Sequence, residues 1–290
     1  MIEVAQLCLY GLVLGSIIVL GAIGLTLTYG ILNFANFAHG DMMTLGAYLA
    51  LFFRFGFGWP LGVSLVAAMI AGAVLAVLID RAVYRPLRNR GSVTLLIASI
   101  GVALIIRNLI RVAWGPDNQY YRQGIQFPIR WHGLRIKPDH LWILGAAFAL
   151  VLLVHLFLRY TRIGKAMRAM ADNRELAMVT GIDTERVVRW TWAIGTALSV
   201  AAGFLLGLDT QLFPDMGWNL LLPIFSAVIL GGIGSPYGAM AGGLIIGLTQ
   251  ELSTLFLSTA YKPVVAFVIM IFLLLIRPGG IFQTGGAVKL

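Results

Sequence analysis

"CLYGLVLGSIIVLGAIGLTLTYG", residues 8–30, contains no charged residue. A helix rises about 1.5 Å per residue, so this run crosses a hydrocarbon layer of roughly 30 Å. Its apolar residues do not alternate with polar ones, which excludes a barrel strand. Runs of the same kind recur near residues 42–57, 60–80, 94–114, 141–158, 189–208, 218–233, 238–258 and 263–276. The first is long enough to be broken or tilted, and 218–233 is short for a full crossing. The expected fold is all-α: a polytopic transmembrane helix bundle of eight or nine spans, built as one domain over residues 1–290.

Composition points the same way. Hydrophobic residues make up 59% of the chain and charged residues 11%, against roughly 25% charged in average proteins. The net charge of +9 does not signal nucleic acid, because the basic residues flank the apolar runs and serve to orient them. With Cys8 as the one cysteine, an internal disulfide or a cysteine metal cluster is excluded. Cys8 reads as a small apolar residue. The N-terminus has no basic stretch and Glu3 as its early charge, so the first span is expected to stay in the mature protein.

Lys and Arg set the orientation. Arg81, Arg85, Arg88 and Arg90 follow the third run, and Arg159, Arg162, Lys165, Arg168, Arg174, Arg186 and Arg189 follow the fifth. Two spans separate these loops, so both lie on one side, which the positive-inside rule makes cytoplasmic. Arg277 and Lys289 then fall inside, the N-terminus outside, and 209–217, with Asp209 and Asp215, outside. Segment 115–140 carries Arg122, Arg130, Arg135 and Lys137 yet falls outside by parity. With its prolines, Asp117, Asp139, Tyr120, Tyr121, Phe127 and Trp131, it reads as a small folded external hairpin on the membrane surface. Glycines four apart (Gly11/Gly15, Gly203/Gly207, Gly238/Gly242, Gly243/Gly247) lie on one helix face and let backbones approach closely.

Polar residues inside apolar runs are costly and mark functional candidates. "NFANFAHGD", residues 33–41, holds Asn33, Asn36, His39 and Asp41. The i, i+3, i+6 spacing places Asn33, Asn36 and His39 on one helical face. Capping and packing weigh more than substrate contact, and proton coupling weighs least. His39 has no second His or Cys nearby for a metal. Gln250 and Glu251 either line a path or pair with a neighbouring helix, and these two readings weigh equally. Arg107 and Arg111, near the outer end of their run, are expected to snorkel to the interface. "GGIGSPYG", residues 231–238, reads as a tight turn with Pro236 starting a helix. No Ser-His-acid set or paired carboxylates emerges, so the chain is not expected to be an enzyme.

The longest charged segment contains "ADNRELAMVTGI", residues 171–182. Asp172 followed by Glu175 resembles a capping box, and Gly181 is placed to stop the helix in a left-handed conformation. Two turns are marginal in water alone, so this helix must pack on something: lipid headgroups or a partner's groove. A short, firmly capped helix suits a lever.

"GKAMRAMADNRELAMVTGI" (164–182) resembles the cytoplasmic coupling loop of ABC importer permeases for branched-chain amino acids, of the LivH-like type. "GLTLTYGILNFANFAHGDMMTLGAY" (24–48), "VILGGIGSPYGAMAGGLIIGL" (228–248) and "RPGGIF" (277–282) are similar to the same family. The resemblance implies a bacterial cytoplasmic (inner) membrane location. It implies a second related permease subunit, two cytoplasmic ATPase subunits and an extracytoplasmic solute-binding protein as partners. It implies a cytoplasmic coupling segment over 159–188 that contacts the ATPase, centred on Arg168, Asn173, Glu175, Ala177 and Gly181. Asn33, Asn36, His39, Asp41, Gln250 and Glu251 remain the candidates for the translocation path. No G-x-x-x-x-G-K-[ST] occurs, since Gly164 and Lys165 lack the earlier glycine and the following hydroxyl. No cofactor is expected in this chain, and ATP would be bound by partners. The alternatives are an ion-coupled carrier using Asp41 and Glu251, and a urea or amide permease.

Overall fold

The computed structural model describes residues 2–122, 128–131, 133–277 and 279–281; Phe127, His132, Pro278, Phe282 and Lys289 lie outside these, as does the side chain of Trp131. Helix α1 (Ile2–Leu32) is followed by α2 (Ala38–Gly56) and α3 (Leu61–Ile79). A π turn over Asp80–Tyr84, the single turn α4 (Arg85–Leu87) and a 3-10 turn lead to α5 (Ser92–Trp114). Strands β1 (Ile129–Trp131) and β2 (Leu134–Ile136) precede α6 (Pro138–Tyr160), α7 (Arg162–Asp172), α8 (Arg174–Val179) and α9 (Thr184–Asp209). The last helices are α10 (Met216–Gly231), α11 (Pro236–Leu252) and α12 (Lys262–Ile276).

All nine apolar runs are helical, but the expected count of eight or nine independent spans is corrected. Among the described residues, six helices are long and apolar enough to cross a membrane: α1, Leu61–Arg90, α5, α6, α9 and Thr259–Ile276. Helix α2 carries His39, Asp41 and Arg54. Helices α10 and α11 have 16 and 17 residues, about 24–26 Å at 1.5 Å per residue. Both bury part of their apolar surface among other helices, while Leu222, Leu244 and Ile245 stay exposed. An all-round hydrophobic helix reads alike whether protein or lipid surrounds it.

Close glycine contacts build the centre. Helix α1 packs most extensively on α11, where Gly11 and Gly15 face Leu248, Leu244 and Gly247. A Cβ on Gly247 would collide with the Gly15 backbone, and one on Gly203 with the carbonyl of Met43. Gly238 and Gly242 likewise meet the backbones of Gly231 and Ala227. Around this centre stand Ile17, Ile18, Ile23, Met43 and Trp192, all buried. Ser235 caps α11 by accepting from Gly238 N at 3.1 Å, with Pro236 in the first turn.

Long-range contacts sort these connections into two ends. At one end Arg88 bonds both Asp80 (2.6 Å) and Glu185 (2.8 Å), tying the turns after α3 to the start of α9. At the other, Gln119 bridges Leu212, joining the segments after α5 and after α9. There β1 and β2 pair antiparallel with Arg130 opposite Arg135, the hairpin the sequence suggests. Gln6 fixes it to α1 through both the N–H and the carbonyl of Arg135, at 2.8 and 2.9 Å. Tyr121 reaches inward to donate to the Ala47 carbonyl at 2.8 Å. Burial pushes its hydroxyl well above the ordinary tyrosine range, so it remains a donor.

Candidate functional site

At the arginine-rich end, α7 lays Gly164, Met167 and Met170 on the bundle. The cap of α8 sits one residue later than the sequence suggests. Asp172 ends α7, and Asn173 starts α8, its Oδ1 accepting from Leu176 N at 3.0 Å. The two helices meet at this kink, so the Asp172–Glu175 capping box does not form. The far end is as expected: Gly181 adopts φ +85°. Its N–H bonds the Met178 carbonyl at 3.0 Å and Ile182 N bonds that of Ala177 at 3.1 Å. These two bonds are the Schellman pattern. Ala177 is buried, whereas Leu176, Met178 and Val179 are exposed, Val179 by 85%. Glu175 is exposed too, and Arg168 stands on α7 beside a small cleft with Thr26 and Tyr237.

Asn33, Asn36 and His39 do not share a helical face, because the helix breaks between them. Asn33 stops α1 at φ +53°. Asn36 lies in the break, where its Oδ1 accepts from Ala38 N at 3.1 Å. Phe37 N donates to Ser99 Oγ at 3.1 Å. The His39 ring donates through Nε2 to the Gly21 carbonyl at 2.8 Å. Capping and packing thus occupy Asn36 and His39, as broken helices require. Helix α10 starts beside this break: Gly217 N donates to Thr44 Oγ1 at 3.0 Å.

Four charges join these two helix starts. Arg107 grips the fully buried Asp41 with two bonds, 2.8 and 3.0 Å. It also stands 3.6 Å from Asp215 and lies over the Trp218 ring at 4.6 Å. Arg111 holds Asp215 at 2.8 Å, both about two-fifths exposed. The expectation of snorkelling is therefore corrected for Arg107, whose guanidinium meets a buried carboxylate, while Arg111 stays two-fifths exposed. A partner carboxylate on each of α2 and the α10 start satisfies them in place. Asp215, expected in an external loop, is drawn in because Thr210–Asp215 folds back from the end of α9.

On the other flank of α10, at the hairpin end, lies a cavity of about 480 Å³. Tyr10, Lys137, His140, Asp209, Asn219, Gln250, Glu251 and Lys262 line it with Val13, Leu14, Leu206 and Leu220. Lys262 Nζ meets Glu251 at 2.6 Å, and Gln250 donates to the Lys262 carbonyl at 3.0 Å. Gln250 and Glu251 thus both pair with a neighbour and line a cavity. His140 Nε2 lies 3.3 Å from Asp209, and its Nδ1 is buried without a partner. Among the described residues no carboxylate pairs with Lys137, and no group of three or more His, Cys, Asp or Glu could hold a metal.

Residues 7–274 match the family described as branched-chain amino acid transport system / permease component. The chain belongs to this family. It is similar to the high-affinity branched-chain amino acid transport system permease protein LivH of Escherichia coli K12, 36% identical over 93% of this chain and 92% of the relative. It is similar to BraD of Pseudomonas aeruginosa, 32% identical over 93% of each. Its fold resembles PsaBC from Streptococcus pneumoniae in complex with Fab, with a TM-score of 0.55, 16% identity, and 96% of this chain and 93% of that chain covered. The protein is thus the permease component of a branched-chain amino acid ABC import system, a multi-pass inner-membrane subunit of a larger complex.

In this permease the carboxylates an ion-coupled carrier would need free are both engaged: Asp41 by Arg107, Glu251 by Lys262. Sequence reasoning did not single out Asp215, Trp218, Lys137 or Asp209 as site residues. The available signal was the near balance of charge inside the apolar region, where Arg107 and Arg111 demand two carboxylates and Asp41 and Asp215 are there to supply them.

Proposed function

We propose that this permease forms one wall of the translocation path along the front of α10 and receives motion through α8 from a separate ATPase. The carrying observation is α8 itself: six residues capped at both ends that offer Leu176, Met178 and Val179 outward. A partner's groove would bury this apolar trio. Opposite, the half-exposed Arg111–Asp215 pair and Trp218 would be costly against lipid. They suit a face turned to a second permease and to the solute. Two ATPases, a second permease and an extracytoplasmic binding protein complete the proposed assembly, with the arginine-rich end cytoplasmic. Motion would pass as a rigid-body shift of a bundle with two arrangements. Cross-links from cysteines placed at Leu176 and Val179 in the intact importer should reach the ATPase. Cross-links to lipid alone would remove the proposal.

The cavity beside α10 suits the solute. Lys137 would face its carboxylate and Asp209 its ammonium, while Val13, Leu14, Leu206 and Leu220 would face a branched aliphatic side chain. Urea or a neutral amide would use neither charge. Hydrogen bonds to charged groups contribute about 1.5–3 kcal/mol, so Lys137→Gln and Asp209→Asn should each raise KM for leucine uptake by roughly tenfold or more. Basal ATP turnover should be unchanged. An unaltered KM in both variants would place the solute elsewhere.

A further inference from the structure

Helices α3 and α6 both pack on α9 but scarcely on each other. Two separate cavities lie along α9 in the gap between them. Arg186, Arg189, Trp190 and Ala193 line one, a cavity of about 340 Å³ beside Val77. Phe204, Leu205 and Leu208 floor the other, a cavity of about 580 Å³ walled by Leu65 and Trp142 and rimmed by Arg54 and Arg122. From 186 to 208 the helix rises about 33 Å at 1.5 Å per residue, close to the roughly 30 Å of a bilayer's hydrocarbon core. The two cavities therefore lie near opposite headgroup levels, each with arginines, and the α9 residues between them, 198–203, are buried.

The two ends differ in charge balance. At the outer end Arg122 is neutralised by Asp139 at 2.8 Å, and Arg54 donates to the Trp59 carbonyl at 2.9 Å. At the other end, among the described residues, no carboxylate pairs with Arg186 or Arg189, and Arg189 Nε donates to the Glu185 carbonyl at 3.4 Å. Asp183 is used as the cap of α9, accepting from the Arg186 backbone at 3.0 Å. Glu185 is taken by Arg85 and Arg88, at 3.2 and 2.8 Å. Trp190 is 40% exposed in the same cavity, where an amphipathic ring sits at headgroup level.

We propose that the cavity at the Arg186–Arg189–Trp190 end binds phospholipid and selects an anionic headgroup. The acyl chains lie against Trp190, Ala193 and Val77, and the phosphate meets two guanidiniums that no carboxylate neutralises among the described residues. Surface attraction of this kind runs near 1 kcal/mol per cation, so losing both corresponds to about thirtyfold weaker selectivity.

The test is native mass spectrometry of the intact importer released from nanodiscs of mixed phosphatidylglycerol and phosphatidylcholine. The wild type should retain phosphatidylglycerol preferentially, and an Arg186→Gln/Arg189→Gln variant should lose that preference by about thirtyfold. Both side chains are exposed, so the variant should fold; Arg54→Gln should keep the preference. Excess inorganic phosphate should not displace the lipid, and displacement would make this a free-phosphate site and overturn the proposal. A photoprobe carried by Ala193→Cys should label lipid; labelling of a protein chain would show that a partner fills this cavity and would also overturn the proposal.

Discussion

Asp41→Ala should destabilise the permease by about 3–5 kcal/mol, the usual cost of removing one partner from a buried ion pair. Asp41 is fully buried and Arg107 nearly so, at 12% exposure, with two short bonds between them. Removing the carboxylate leaves a guanidinium held among α2, α5 and α10, with Asp215 at 3.6 Å as a weaker substitute. The denaturation midpoint of the purified permease should fall by on the order of 10 °C. The paired change Asp41→Leu with Arg107→Met should recover most of that loss, because replacing a whole buried pair by apolar residues is often neutral. Arg111→Ala, at a pair two-fifths exposed, should cost no more than about 1 kcal/mol. A midpoint for Asp41→Ala within a degree or two of wild type would mean that water reaches this site, and the network would not be the clamp that joins the two helix starts.

This network also marks the limit of what the sequence reveals. The apolar runs located all nine large helices, because a long uncharged run has few other places to go. The runs did not show that α10 and α11 end at 16 and 17 residues, so both were counted as spans. Spacing rules assume an unbroken helix. They placed Asn33, Asn36 and His39 on one face because nothing in "NFANFAHGD" announces that Asn33 turns left-handed. Pairing across 66 positions, as between Arg107 and Asp41, is a tertiary fact with no local signature. Local signals did well where the chemistry is local: Pro236 at a helix start, Gly181 at a helix end, a hairpin among aromatic and basic residues. The cap of α8 was missed by one position, since Asp172 and Asn173 are both good caps and only the packing of α7 decides between them.

Gly181→Val should uncouple transport from ATP turnover, and the reason is backbone geometry rather than space. A Cβ at Gly181 would meet nothing within 4 Å, yet φ is +85°. Left-handed backbone costs an ordinary residue about 1–2 kcal/mol, and a β-branched one more. Helix α8 has six residues, too few to persist in water by propensity, so its caps decide whether it forms. A loss of about 2 kcal/mol shifts the folded population of such an element roughly thirtyfold. Leucine transported per ATP hydrolysed should fall by on the order of tenfold or more, with membrane insertion and basal hydrolysis retained. Gly181→Asn should stay near wild type, because asparagine tolerates this backbone region. Equal damage from asparagine and valine would show that Gly181 matters for something other than its φ. Normal coupling in the valine variant would show that a left-handed cap is not what holds α8 in shape.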